Sequence, residues 1–90
     1  MSRQRVYTEQ STQIMQRFFT ALEIIIANKM IRGTQTYCRL YGIERRNLIL
    51  QRKDLTRGHF QASWLVPMVK NYGISADWLL TGKEPMFAAR

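Results

Sequence analysis

The chain has 90 residues, 46% apolar and 11% aromatic, which is enough for one buried core and too little for two domains. A formal charge of +8 and a pI near 10.4 favour polyanionic partners: DNA, RNA or an anionic membrane surface. The single cysteine, Cys38, excludes an internal disulfide and a Cys-based zinc site, and His59 is likewise the only histidine.

Residues 1–10 show no periodic apolar face and are expected to form a basic arm. From Ser11 or Thr12, Ile14, Met15, Phe18, Phe19, Leu22, Ile25 and Ile26 recur three and four apart, which predicts a first helix ending near Asn28. The Ile24-Ile25-Ile26 run alone would suit a strand, but the Gln, Arg, Ala, Leu and Glu around it favour helix. With Ala27 it is far too short for the apolar part of a secretory signal, and nothing approaches a membrane span. A cytoplasmic protein that does not engage a membrane is the expectation.

Thr34 is expected to cap a second helix that carries Tyr37, Cys38 and Tyr41 inward and stops at Gly42. A third runs from about Glu44 to Lys53, followed by a loop with Thr56, Gly58 and His59. The fourth covers about Gln61 to Tyr72. Pro67 inside it predicts a kink or a late start, because proline lacks an amide donor and clashes with the preceding turn. A fifth, Ala76 to Thr81, is capped by Ser75, and residues 83–90 follow as a tail. All five glycines fall between or after these segments, and this agreement of punctuation with periodicity makes the chain all-α, with its domain over residues 11–82.

The same three residues, Tyr41-Gly42-Ile43 and Tyr72-Gly73-Ile74, close one helix and open the next twice over. A glycine there takes the left-handed conformation that ends a helix, and the isoleucine folds back on the last turn. Behind the first copy comes a cationic segment. Arg39, Arg45, Arg46, Arg52, Lys53 and Arg57 stand against only Glu44 and Asp54 over residues 39–57. A short helix, a glycine turn and a second, basic short helix is the pattern of a nucleic-acid reading head.

Residues 33–82 resemble the lambda-repressor-like (Xre/Cro) helix-turn-helix domains of phage repressors and bacterial regulators. Tyr37-Cys38 and Gly42-Ile43 are similar to that motif's aromatic-small pair and Gly-aliphatic turn. Gly73-Ile74-Ser75, Asp77-Trp78-Leu79-Leu80 and Thr81-Gly82 are similar to the last helix of phage repressor-type domains. The resemblance implies a compact five-helix bundle, duplex DNA binding through the third helix, and homodimerisation. It departs at Glu44, where Ser, Thr or Asn usually opens the reading helix, and at Thr34-Gln35, whose spacing to Gly42 is one residue short.

Carried onto this chain, Arg45, Arg46 and Asn47 enter the major groove, where arginine donates twice to guanine and asparagine pairs with adenine. Thr34 and Gln35 open the second helix, whose amides suit a phosphate, and Arg52, Lys53 and Arg57 serve as backbone contacts. Leu48-Ile49-Leu50-Gln51 does not fit the usual alternation, since an apolar pair stands where DNA is faced and Gln51 where the core is expected. Either the helix is rotated, or Ile49 and Leu50 meet thymine methyls or a protein partner.

The remaining chemistry-bearing residues have plainer readings. Cys38 is a small core residue, His59 is incidental in its loop, and Trp64 and Trp78 are core or interface aromatics. Asp54, Asp77 and Glu84 form no carboxylate pair, so no enzyme, metal, cofactor or small-molecule ligand is expected. The function implied is sequence-specific DNA binding by a transcriptional regulator. Its rivals are a protein-interaction module on the same fold and a nonspecific nucleic-acid binder. Phe18, Leu22, Cys38, Ile43, Trp64, Ile74 and Leu79 are the expected core. The tail around Met86 and Phe87, with Trp78 or Leu80, is the expected dimer patch.

Overall fold

Nineteen residues without glycine or proline, apolar at helical spacing, form α1 (Glu9–Ala27). The computed structural model describes residues 8–88. Thr8 caps α1 by accepting the Ser11 amide at 3.1 Å, and Glu9 sits in the first turn, where a carboxylate suits the helix dipole. The helix thus begins two residues before Ser11. Of the basic arm expected over residues 1–10, residues 1–7 lie outside the described residues, while Thr8, Glu9 and Gln10 belong to the cap and first turn.

Four short helices follow: α2 (Thr34–Tyr41), α3 (Arg45–Lys53), α4 (Val66–Tyr72) and α5 (Ala76–Thr81). No strand occurs among the described residues, so the fold is a compact all-α globule of five helices. Two local expectations need correction. Thr34 is the first residue of α2 and not its cap; Gly33 holds that position and provides no side-chain bond. The segment before Pro67 is a single 3-10 turn, Ala62–Leu65, and Pro67 lies in the first turn of α4. A missing amide costs least there, so the proline sets a late start and no kink. Ser75 caps α5 as expected, accepting the Trp78 amide at 3.2 Å.

The paired turns share a left-handed glycine, though the bond back from the isoleucine spans five residues in the first and six in the second. Gly42 and Gly73 have φ of 68° and 71°, and the amides of Ile43 and Ile74 reach back to the Cys38 and Met68 carbonyls, each at 3.0 Å. The two turns also meet in space: the Tyr41 and Tyr72 hydroxyls lie 2.8 Å apart, and Asn71 Nδ2 donates to Tyr41 at 3.2 Å. Beneath them Tyr37 is buried, its hydroxyl donating to the Trp64 carbonyl at 2.6 Å. Tyr37 packs edge-on against Phe18, which also meets Phe19 and Phe60 in the same manner. This aromatic knot ties α1, α2 and the 3-10 turn into one core with Leu22, Leu48, Met68, Ile74 and Leu79. Ile43, expected inside, is half-buried on its edge.

Charge and backbone bonds hold α5 and the tail. Arg17 Nη1 on α1 donates to the Leu79 carbonyl of α5 at 3.0 Å, placing a cation where the dipole of α5 is negative. The tail does not hang free as an unsatisfied apolar strip. Ser75 donates to the Met86 carbonyl at 2.7 Å and Ala88 to the Gly73 carbonyl at 2.8 Å, so residues 86–88 fold back along the turn between α4 and α5. Met86 packs on the core, and Trp78 is half-buried against it too. Of the patch expected for self-association, Leu80 alone remains more than half exposed, with Phe87 partly so.

Candidate nucleic-acid interface

Two inward residues set the roll of α3. Leu48 is fully buried, and Gln51, one turn on, is 0% exposed. Gln51 is accommodated by three contacts: Nε2 donates to the Leu55 carbonyl at 3.0 Å and approaches Met15 Sδ at 2.9 Å, while Oε1 accepts the His59 amide at 3.0 Å. A carbonyl on one side and an amide on the other define which end of the side chain faces which. Gln51 therefore occupies the core position, and of the alternatives left open by the sequence, rotation of the helix falls away. No buried side-chain nitrogen or oxygen among the described residues lacks a partner.

At about 100° per residue, the side of α3 opposite Leu48 and Gln51 carries Arg46 and Lys53 along its midline. Ile49 and Leu50 fall about 50° to either side of that line. Arg46 and Lys53 are exposed, while Ile49 and Leu50 are half-buried. Along the axis the outward stripe thus has a cation at each end, with the two half-buried aliphatic side chains between them. No residue of α3 is acidic.

The other expected site residues spread around this stripe. Arg45 and the half-buried Asn47 lie on opposite flanks of the first turn. Arg45 is near enough to Cys38 to oppose the rise that burial imposes on the thiol, which remains above its ordinary value. Such a thiol is poorly reactive. Arg52 faces a shallow depression against α1, lined by Gln16, Thr20 and Glu23, and so stands away from the outward stripe. Arg57 lies in the loop beyond α3, with its Nε 3.9 Å from Asp54 Oδ2. Asp54 is held below the usual carboxylate range mainly by the Thr56 hydroxyl, then by the Thr56 amide. The pairing with Arg57 is long and solvent-exposed, and therefore weak.

At the start of α2, Thr34 and Gln35 follow a glycine cap that leaves the first amides without a side-chain acceptor. Gln35 lines a shallow depression with Arg32, Thr36 and Arg39. Arg32, Arg39 and Ile49 are the residues that the sequence-based set omits. The i, i+4 spacing of Gln35 and Arg39 signals the second of these. Arg32 carries no local signal, because its proximity depends on the connection after α1. Glu44 sits at the cap position of α3 and makes no capping bond.

Among the described residues, no helix is long and apolar enough to cross a membrane, and no three His, Cys, Asp or Glu side chains gather as a metal site. An open apolar groove runs between α4 and α5, lined by Leu65, Val66, Val69, Ala76 and Leu80 with Lys70 at its rim. Comparison with protein-family models, curated proteins and solved structures returned no match to the chain.

Proposed function

We propose that this chain is a sequence-specific duplex-DNA-binding protein of the helix-turn-helix type, acting as a transcriptional regulator, in keeping with its resemblance to lambda-repressor-like domains. The observation that carries this reading is the outward face of α3. Its roll is fixed by Leu48 and Gln51, its midline holds Arg46 and Lys53, and it carries no acidic side chain. A helix of about 10–12 Å diameter fits a major groove about 12 Å wide. Arg46 donates to guanine O6 and N7, with Arg45 and Asn47 on the flanks of the same first turn. The uncapped start of α2 at Thr34 and Gln35, with Arg32 and Arg39 beside it, suits a backbone phosphate. Lys53 serves as a phosphate contact, and Arg57 joins it by exchanging its weak bond to Asp54 for one to DNA. Arg52, beside the depression against α1, contributes charge at longer range.

A second copy of the chain is the proposed protein partner. Val66 and Leu80 are half-exposed or more beside the α4–α5 groove, an apolar surface that association would cover. A two-fold protein reads a two-fold site, with half-sites about one helical turn apart. Selection from a random duplex library tests both proposals together. An enriched motif arranged as an inverted repeat about 10 base pairs centre to centre is expected. Recovery of unenriched sequence would refute specific reading, and an enriched single half-site would refute the dimer.

A further inference from the structure

We infer that the depression between α1 and the end of α3 binds a free α-amino acid with an apolar side chain, Glu23 taking its ammonium group and Arg52 its carboxylate. This goes beyond the DNA-binding reading and does not depend on it. The depression measures about 480 Å³, within the range of about 300–1,000 Å³ that small-ligand sites occupy. Gln16, Thr20 and Glu23 follow one another at four and three residues, so a single face of α1 supplies all three. Arg52 comes from the last turn of α3 and Leu55 from the loop beyond it. Phe19, 7% exposed, and the half-buried Leu55 provide the apolar part of the lining.

Both signs of charge line this depression, yet they do not pair. Arg57 and Asp54 form the only ion pair among the described residues, so Glu23 and Arg52 share the depression without meeting. Gln16 and Thr20 make no side-chain hydrogen bond among the described residues either, which leaves an amide and a hydroxyl free beside the two charges. Opposite charges held apart beside an apolar surface match a zwitterion. The guanidinium fork suits a carboxylate, and the carboxylate of Glu23 accepts from an ammonium. A phosphate would meet the negative charge of Glu23, and a simple cation the positive charge of Arg52. The depression at the start of α2 carries cations only, and the α4–α5 groove is apolar with Lys70 at its rim. Of the three, this one alone offers both signs.

The test titrates the full chain with leucine, N-acetyl-leucine and leucine methyl ester, followed by amide chemical shifts in NMR. Leucine should saturate with a Kd in the millimolar range and move the amides of Phe19, Thr20, Glu23 and Arg52. Each blocked compound lacks one of the two charges and should bind about fivefold more weakly, the worth of one well-formed exposed ion pair. Glu23→Gln should erase the preference for leucine over N-acetyl-leucine, and Arg52→Gln the preference over the methyl ester. Both side chains are exposed, so the variants should melt with wild type. The three-compound comparison on wild type decides the matter even if a variant does not fold. Leucine that moves none of these amides overturns the inference. Equal binding of the three compounds also overturns it, since that marks apolar adsorption, and so does tighter binding of N-acetyl-leucine, which marks simple anion capture. A preference for leucine that survives both folded variants places recognition elsewhere and overturns it too.

Discussion

Replacing Gln51 by methionine keeps an unbranched side chain of similar length and removes every hydrogen bond that the amide makes. Two backbone groups lose their partner, the Leu55 carbonyl and the His59 amide. Each stranded group costs about 1–3 kcal/mol, and both are only partly buried, so water limits the loss to the lower part of that range. Burying a thioether in place of an amide returns about 1 kcal/mol. The net loss is about 2 kcal/mol, which lowers the melting temperature of a domain this size by about 8–16 °C. Thermal denaturation followed by circular dichroism measures it directly. Amide exchange at His59 gives a second, local readout that should accelerate in the variant. A Gln51→Met protein as stable as wild type would refute the reasoning. It would mean that the slot is simply apolar and that Gln51 neither anchors the loop nor fixes the roll of α3.

Three further outcomes follow from the same contacts. Gly42→Ala should cost about 1 kcal/mol for left-handed strain alone, since a Cβ there meets nothing within 4 Å; Gly82→Ala should cost more, because its Cβ would come within 3.2 Å of the Arg17 guanidinium. Equal melting temperatures for the two variants would contradict this. Glu44→Ser exchanges a charge–dipole attraction of about 0.3–1 kcal/mol for a capping bond of about 1 kcal/mol, leaving stability nearly level while duplex affinity, read by fluorescence anisotropy, rises. Burial first, then the hydrogen bond and proximity of Tyr41, push the Tyr72 hydroxyl up to about 12. The fold favours the protonated phenol, so this stability is whole below pH 10 and is lost between pH 10 and 12. Denaturant midpoints that stay flat across that window would contradict the assignment.

What the sequence made legible was whatever one residue encodes locally. Gly42, Gly73, Ser75 and Pro67 each fix a helix end through their own backbone or side chain, and each acts where the sequence indicated. Thr34 misled because a capping residue and a first-turn residue look alike without the φ of Gly33. The fate of the tail was invisible: its bonds join residues 86–88 to residues 73–75 through the backbone, with no side-chain pattern to announce them. In the candidate site, the conflict at Gln51 was readable, but its resolution was not. Two of its three partners are backbone groups of the following loop, and the third is Met15, thirty-six residues away. Arg52 looked equivalent to Lys53 for the same reason, since only the placing of α3 beside α1 sets Arg52 at a depression it shares with Glu23.

The most direct test of the outward face of α3 as a DNA-reading surface compares wild type, Arg46→Ala and Lys53→Ala on a selected duplex and a scrambled one at two salt concentrations. Arg46→Ala should lose about 1–3 kcal/mol on the selected duplex and little on the scrambled one. Lys53→Ala should weaken both alike and lower the salt slope by about one. Equal, weak binding of both duplexes by wild type and Arg46→Ala would contradict the account and leave the charge of +8 as a matter of solubility.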